Sequence, residues 1–592
     1  MWPAGIKKPW QVENSSFNPV ERARLQTETT TIPAAGRRAP RLWRNLDTPF
    51  FLLLMVVAAV STVAGISWHS LPAEDALMLL RYARHLVDGQ GITWNIGDHP
   101  VEGATDFLFL ILLAGWIKLT HLSPILAGRI LLAGMHLATV AWLYIASRRL
   151  FATPPAIAAL LGVYLATGPG ILHASNDFSP PLYGLVALLA WTVACSALLR
   201  GPSPGRSLIF ALLALLAGLI RPDGVFLALF MTIALVYSLR GRAAQIVLVT
   251  VAVFVVLGGA YFLWRFHYFG YLLPNPFYKK GGGHLHPESI RLSLSGIFKM
   301  LLPVWPVFLL GLLTPAARRR TVFALIPIAL FGIIWVLLTP ENDANMRFQY
   351  VLMPMSLLST ALILQSLQAD SRPWLARAKE HGAAAAACLL LCSVPMDIAW
   401  WRALYPADPV GTGNYEIARS LAGLEDRHYT MAVTEAGVIP YFSRWRTIDA
   451  WGLNDAEIVH NPQGLTAAYL QKNDPAIVMF ELSRGTVNSP ADFARVWRGE
   501  APPRQDITQL MLVLSHYARA NDYALAARWG VTPCVVHVWY VRRNIPDFAA
   551  VMAIIRKQPH IFSYGGGLAN NYLEDDPPTA CNNPVVSIGL NE

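Results

Sequence analysis

The sequence predicts a polytopic α-helical membrane protein, with about eleven transmembrane helices and interfacial helices in the first outer loop, carrying a C-terminal soluble α/β domain. Three observations predict it. The 592 residues are 54% hydrophobic and only 14% charged, with a mean hydropathy of +0.40, and a wholly soluble chain so composed would expose more apolar surface than water tolerates. Apolar runs recur up to about residue 400, each long enough, or nearly so, to cross roughly 30 Å of hydrocarbon. Beyond that point the long runs stop, and short strand-like and helix-like segments alternate.

The same composition excludes other classes. Disorder is excluded because Leu, Ile, Val and aromatic residues dominate. Five cysteines in 592 residues, with no Cys-x-x-Cys pair, exclude a disulfide scaffold and argue against a structural metal. The net charge of +10 fits loops that obey the positive-inside rule better than it fits nucleic acid, which is not expected as a partner.

Residues 1 to 46 form a basic tail with Arg22, Arg24, Arg37, Arg38, Arg41 and Arg44 ahead of the uncharged run Phe50 to Trp68, which reads as a retained signal anchor. Further spans are expected near 126 to 147, 155 to 172, 181 to 199, 207 to 220, 223 to 239, 244 to 264, 297 to 314, 321 to 338, 350 to 367 and 383 to 400. Phe107 to Leu119 is too short for a span and suits an interfacial or re-entrant helix. With the N-terminus inside, the loops at Arg148-Arg149, Arg200 to Arg206, Arg240 to Arg242, Arg318 to Arg320 and Arg372 to Lys379 all fall on the cytoplasmic side. The odd number of spans then delivers residues 401 to 592 to the exterior, leaving 47 to 400 as the membrane domain. Strand-like runs there are Tyr429 to Val433, Ala476 to Phe480 and Cys534 to Tyr540, and Cys534 and Cys581 are either bonded or free.

Several cations break the topological rule by falling at outer span ends: Arg81, Arg84, Arg221, Arg265, Lys279, Lys280 and Arg347. An anion at the outer interface, such as a lipid-linked phosphate, accounts for them, and so do snorkelling to headgroups and pairing with acids. The first outer loop holds an adjacent acidic pair, Glu74-Asp75, followed by Arg81-Tyr82-Ala83-Arg84, Gly89-Gln90-Gly91, Asn95-Ile96-Gly97 and Val101-Glu102-Gly103-Ala104-Thr105-Asp106. Carboxylates beside low-dielectric walls suit general-base work, while the first turn of a helix favours the same residues. Leu273-Pro274-Asn275-Pro276, then Lys279, Lys280 and Gly281-Gly282-Gly283, suit either a mobile lid or a plain connector.

The stretch from Ala73 to Leu113 resembles the first periplasmic loop of C-type glycosyltransferases, membrane enzymes that take a sugar from a polyprenyl phosphate. It is most similar to the mycobacterial terminal arabinofuranosyltransferase branch. Supporting matches follow in order: Arg221-Pro222-Asp223-Gly224, Tyr268-Phe269-Gly270 with Leu273-Pro274-Asn275 and Lys279, Asn342-Asp343 with Arg347-Phe348, and Thr447-Ile448-Asp449 with Gly452-Leu453-Asn454-Asp455. The similarity covers about residues 48 to 460. Two departures stand out: Glu74 occupies a position usually held by Asp, and Asp177 stands where a Gly-x-Glu-Thr-like motif is usual.

The resemblance implies a bacterial cytoplasmic-membrane enzyme whose C-terminal domain faces the periplasm or another exterior. Either Glu74 or Asp75 activates an acceptor hydroxyl on a glycan, lipid or protein. Arg347, Lys279, Arg221 and Arg265 hold the phosphate of a polyprenyl-phosphate-linked donor, with D-arabinofuranose the first candidate sugar. Glu102, Asp177 and Asp343 bind sugar hydroxyls or a divalent cation, although the chemistry requires no cofactor. The alternatives are a mannosyl- or aminoarabinosyl-type transferase acting on protein or lipid A, and a lipid-linked sugar transporter.

Overall fold

The structure, a computed structural model, describes residues 43–66, 68, 71–175, 177–281, 285–337, 346–368, 413–483, 507–532, 535–557, 561–562 and 568–569. The expected span at 383 to 400, Asp343, Cys534 and Cys581 lie outside them.

Helix α1 spans Trp43–Gly65, and a polar stretch leads to α2, Glu74–Val87. There follow α3 (Phe107–Thr120), α4 (Pro124–Phe151), α5 (Pro155–Thr167), α6 (Pro169–Ser175), α7 (Pro180–Arg200), α8 (Pro204–Ile220) and α9 (Asp223–Leu239). Next are α10 (Ala244–Val253), α11 (Gly259–Phe269), α12 (Asn275–Gly281), α13 (Pro287–Met300), α14 (Trp305–Leu313), α15 (Pro315–Ile333) and α16 (Leu352–Gln368). Pro124, Pro155, Pro180, Pro204, Pro287 and Pro315 each open their helix, where the missing N–H costs nothing and the fixed φ is already helical.

Among the described residues, five helical runs are long and apolar enough to cross a membrane, or six if the bent pair α13 and α14 is one span, against the eleven expected. The differences have local causes. The spans expected at 223 to 239 and 244 to 264 count as one helical run, Asp223–Phe269, with Arg240 at φ 52° in the loop read between them and a π-helical turn at Phe254–Gly258. The straight span expected at 297 to 314 is instead two helices meeting at 95°, with Pro303 in the break. Pro169 follows the break at Gly168 and restarts the expected span 155 to 172 as α6. The short apolar run is the helix α3, packed against α2 and α4.

The C-terminal part builds a five-stranded sheet from β1 (Thr430–Val433), β2 (Arg446–Asp449), β3 (Ile477–Ser483), β4 (Tyr523–Thr532) and β5 (Val535–Arg542), in the order β2-β1-β3-β5-β4. β1 runs parallel to β2 and β3, and β5 runs antiparallel to both β3 and β4. Its side chains alternate, as a pleated strand requires. Ala432, Val478, Phe480, Val538 and Tyr540 pack on one face with Leu512 and Leu514 of α21 (Ile507–Ala520). Met431, Val433, Met479, Trp539 and Val541 pack on the other with Ile417 and Leu421 of α17 (Asn414–Leu421) and with Val551 and Ile555. Both faces are therefore covered, and the three strand-like runs read from the sequence are β1, β3 and β5. A small pairing of Ile561–Phe562 with Leu568–Ala569 adds a second sheet.

From Phe50 onward the chain is one compact unit. Its largest core joins the helices to the sheet domain, because Ala436, Val438 and Tyr441 pack into the same cluster as Leu77, Leu110 and Leu132. This shared core brings α18 (Val438–Ser443), the short helix after β1, against α2.

Candidate active site

α2 begins with the acidic pair. Ala73 at its N-cap offers no side-chain oxygen, so both carboxylates favour the helix's positive end without capping it. Consecutive helical residues point about 100° apart, and the two diverge accordingly. Asp75 faces Arg347, with Oδ2 2.9 Å from Nη2. Glu74 faces the sheet domain, where Oε2 accepts hydrogen bonds from the Gly437 and Val438 amides at 2.7 and 2.9 Å.

Their electrostatics diverge too. Enclosure by the surrounding walls would raise the Asp75 carboxyl, but the charges of Arg347 and Lys280 outweigh it and hold the group below its usual range. For Glu74 burial wins over the two backbone amides, and its carboxyl lies above the usual range.

A cavity of about 670 Å³ opens beside Asp75. Its lining includes the charged side chains Asp75, Glu102, Asp106, Arg221, Asp223, Arg265, Lys280 and Arg347 and apolar ones such as Leu219, Phe226, Phe254 and Phe262. Phe226 and Phe262 keep much of their ring surface exposed.

Three ion pairs line the cavity. Arg265 is bonded to Glu102, with Nε 2.9 Å from Oε1, and also donates to the Leu272 carbonyl at 2.9 Å. Arg221 lies 3.0 Å from Asp223 and 3.7 Å from Asp106, with its guanidinium over the Phe348 ring. Arg347 is the third, held between the rings of Phe178 and Phe348 at 4.5 and 5.1 Å. Its buried Nε has no hydrogen-bond partner among the described residues, an uncommon state for a buried donor.

The sheet domain closes the site from above. Leu453 forms part of the cavity wall, and Lys279 sits 5.6 Å over the Trp451 ring. Asp449, at the end of β2, accepts from the Trp451 and Asn454 amides at 3.0 and 2.9 Å and from the Asn454 side chain at 2.9 Å. Burial raises its carboxyl to about 6, with the Asn454 bonds opposing. Glu435, in the turn after β1, is pushed well above the usual range by burial and by the charges of Glu74, Glu481, Asp75 and Asp449.

Residues 408–545 match a domain of unknown function, DUF8728. A terminal β-(1→2)-arabinofuranosyltransferase of Mycobacterium tuberculosis is 27% identical over 293 residues, covering 46% of this chain and 45% of that protein. The chain thus spans about half the length of the curated relative it matches. ArnT of Cupriavidus metallidurans in its apo state superposes with a TM-score of 0.57 at 15% identity, over 83% of this chain and 98% of that one. ArnT bound to undecaprenyl phosphate superposes with a TM-score of 0.53 at 13% identity, with the same coverage. The chain has the GT-C fold. Its apolar helices and that fold are those of a multi-pass membrane protein.

Of the residues singled out in the sequence, the cavity wall brings together Asp75, Glu102, Arg221, Arg265 and Arg347. Glu74 and Lys279 lie beside it and outside that wall. Asp177 is buried and bound by Arg129 through both carboxylate oxygens, at 3.2 Å for each of Oδ1 and Oδ2. Among the described residues no group of three or more His, Cys, Asp or Glu side chains is arranged to hold a metal ion.

The structure adds Asp106, Arg129, Phe178 and Glu435 to the site and its surroundings. Asp106 stood next to the Val-Glu-Gly-x-Thr run, which was its only signal. Nothing in the sequence connects Glu435 with α2. The first-loop motifs also act differently from a ligand shell: Arg81 donates to the Trp94, Pro440 and Trp445 carbonyls. Asn95 accepts from the Thr447 amide at 2.9 Å and donates to the Thr447 carbonyl at 3.1 Å, and the Tyr82 hydroxyl donates to Asn454 at 3.0 Å. Those motif residues fasten the loop to the sheet domain.

Proposed function

We propose that the protein is a membrane glycosyltransferase that moves a sugar, D-arabinofuranose as the first candidate, from a polyprenyl-phosphate donor to an acceptor hydroxyl on a glycan. The observation that carries this reading is a cavity whose lining divides into charged side chains, among them the Asp75–Arg347 pair, and apolar ones such as Leu219, Phe226 and Phe262. A polyprenyl-phosphate sugar has that same division between an anionic head and an apolar tail. The arabinofuranosyltransferase relative and the undecaprenyl phosphate bound by ArnT support the choice of donor.

In this reading the donor's chain lies along Leu219, Phe226 and Phe262, and its phosphate reaches the unpartnered Nε of Arg347 with Lys280 nearby. Asp75 accepts the proton of the acceptor hydroxyl, whose oxygen forms the new bond to the anomeric carbon. The bond from that carbon to the phosphate oxygen breaks, and its electron pair leaves with the phosphate. Arg347 and Lys280 stabilise the added charge as it develops. Arg221 and Arg265 contribute less, because Asp106, Asp223 and Glu102 already neutralise them. The sheet domain, from about residue 401, faces the exterior of a bacterial cytoplasmic membrane and forms the acceptor side, and the N-terminus lies inside.

The test is transfer by purified, lipid-reconstituted protein from a panel of synthetic polyprenyl-phosphate furanose and pyranose donors. One donor is expected to be used, with Asp75→Asn inactive and Arg347→Ala slowed by about 10²–10³, both still folded. Transfer of an aminoarabinosyl or mannosyl group instead would replace the furanose assignment, and movement of donors across the bilayer without transfer would replace the enzyme reading itself.

A further inference from the structure

The acidic pair divides its labour between two parts of the molecule. The Glu74 side chain is outside the cavity wall, and its Oε2 is already occupied by two converging amides, those of Gly437 and Val438. The approach is close on both sides, since a Cβ added at Gly437 would collide with the Glu74 carboxylate and backbone. Around this contact the domain is fastened again by Arg81 to Pro440 and Trp445, and by Asn95 to Thr447. Glu74 and Asp75 are consecutive on one rigid turn, so any force that fixes the sheet domain on Glu74 also fixes it relative to Asp75.

We propose that Glu74 is a positioning residue: it pins the turn preceding α18 to the first turn of α2, and so sets the acceptor wall of the site against the Asp75 carboxylate. The wall it sets includes Leu453, on the cavity surface, and Trp451, under Lys279. Glu435 sits in the pinned turn, within electrostatic reach of both Asp75 and Glu74. Glu74 acts through these groups and takes no proton from the acceptor. The inference rests on Asp75 being the proton acceptor.

Because both amides converge on a single oxygen, a glutamine preserves the contact and an aspartate does not. The Gln amide oxygen can occupy the Oε2 position, whereas Asp is shorter by one methylene, about 1.5 Å. A base would show the reverse order, since Asp keeps a carboxylate and Gln has none. The experiment measures kcat, acceptor KM and donor affinity for Glu74→Gln, Glu74→Asp, Gly437→Ala and Asp75→Asn in liposomes, with thermal unfolding of each variant as a check on folding.

Glu74→Gln is expected to keep kcat within about threefold of wild type, the worth of a modest change in hydrogen-bond strength. Glu74→Asp and Gly437→Ala should raise the acceptor KM at least about tenfold, through lost alignment, with donor affinity unchanged. The acidic limb of the pH profile should be the same in Glu74→Gln as in wild type. A Gln variant as inactive as Asp75→Asn, beside an active Asp variant, would overturn the proposal and make Glu74 the base. Full activity in Asp75→Asn would instead overturn the proposed chemistry, whatever the variants at 74 do.

Discussion

Asp75 and Arg347 form an ion pair at 2.9 Å in which the cation is buried and the anion is open: their side chains are 8% and 45% exposed for Arg and Asp respectively. The asymmetry gives the pair a direction. Arg347 is clamped between Phe178 and Phe348, so its fork cannot follow a moving ligand, and Asp75 presents an oxygen toward the cavity. A preorganised cation beside an accessible carboxylate is the arrangement that stabilises charge as it develops.

Arg347→Lys is expected to behave much like Arg347→Ala. A lysine keeps the charge but loses the planar guanidinium that stacks between two rings and offers Nε separately from the amino groups. Both substitutions should lower kcat by about 10²–10³, the range for removing one oriented donor from a charge-stabilising site. Steady-state transfer with the preferred donor measures it.

The pH dependence follows from Asp75. Its folded carboxyl lies below the ordinary value of 3.8 because Arg347 and Lys280 outweigh burial, so the reactive ionised form persists on acidification through the range in which free carboxylates protonate. The kcat/KM profile of the wild type is therefore expected to stay flat down to about pH 4 as far as this group is concerned. In Arg347→Ala burial is opposed by less positive charge, and the acidic limb should move to higher pH. A limb that stays in place would show that Asp75 is not the titrating base.

Glu435 makes the opposite prediction for stability. Its folded carboxyl is raised well above 4.5 by burial and four neighbouring acids, so the folded state binds the proton more tightly than the unfolded chain. That contribution is fully present below the unfolded value and is lost as pH rises through the folded one. Glu435→Gln should match wild type at low pH and melt about 2–4 °C higher at pH 8, roughly the shift that 1 kcal/mol produces in a domain of this size. Thermal unfolding at pH 5 and pH 8 separates the two.

Asp177→Asn should cost stability before it affects any sugar. The carboxylate is held by Arg129 inside the protein, with side-chain exposures of 7% and 4%, and an amide in its place removes the negative charge that faces a buried guanidinium. The expected loss is about 3–5 kcal/mol, visible as a lower melting temperature, and Arg129→Gln in the same chain should recover part of it. An unchanged melting temperature with a changed acceptor preference would assign Asp177 to the substrate.

Much of the architecture was legible because it rests on local chemistry. Apolar runs mark helices without reference to any partner, prolines mark their starts, and alternation marked β1, β3 and β5. The strand β2 was hidden in a four-residue segment, Arg-Thr-Ile-Asp, too short for a period of two to stand out. The straight span expected at 297 to 314 failed where the helix bends: Pro303 lies in a stretch that is apolar on both sides, and hydropathy carries no information about direction.

The sequence by itself determined a membrane-embedded helical protein with a terminal α/β domain, an acidic pair in its first polar loop, and Arg347 as a cation without a topological role. It did so because hydrophobicity, charge and helix-end preference are properties of neighbours along the chain. Only the tertiary structure decided that Asp75 meets Arg347 while Glu74 meets Gly437 and Val438. Those contacts join residues 272 to 364 positions apart, and which of two adjacent carboxylates turns to which partner depends on the 100° between successive helical side chains and on what the shared core packs beside each.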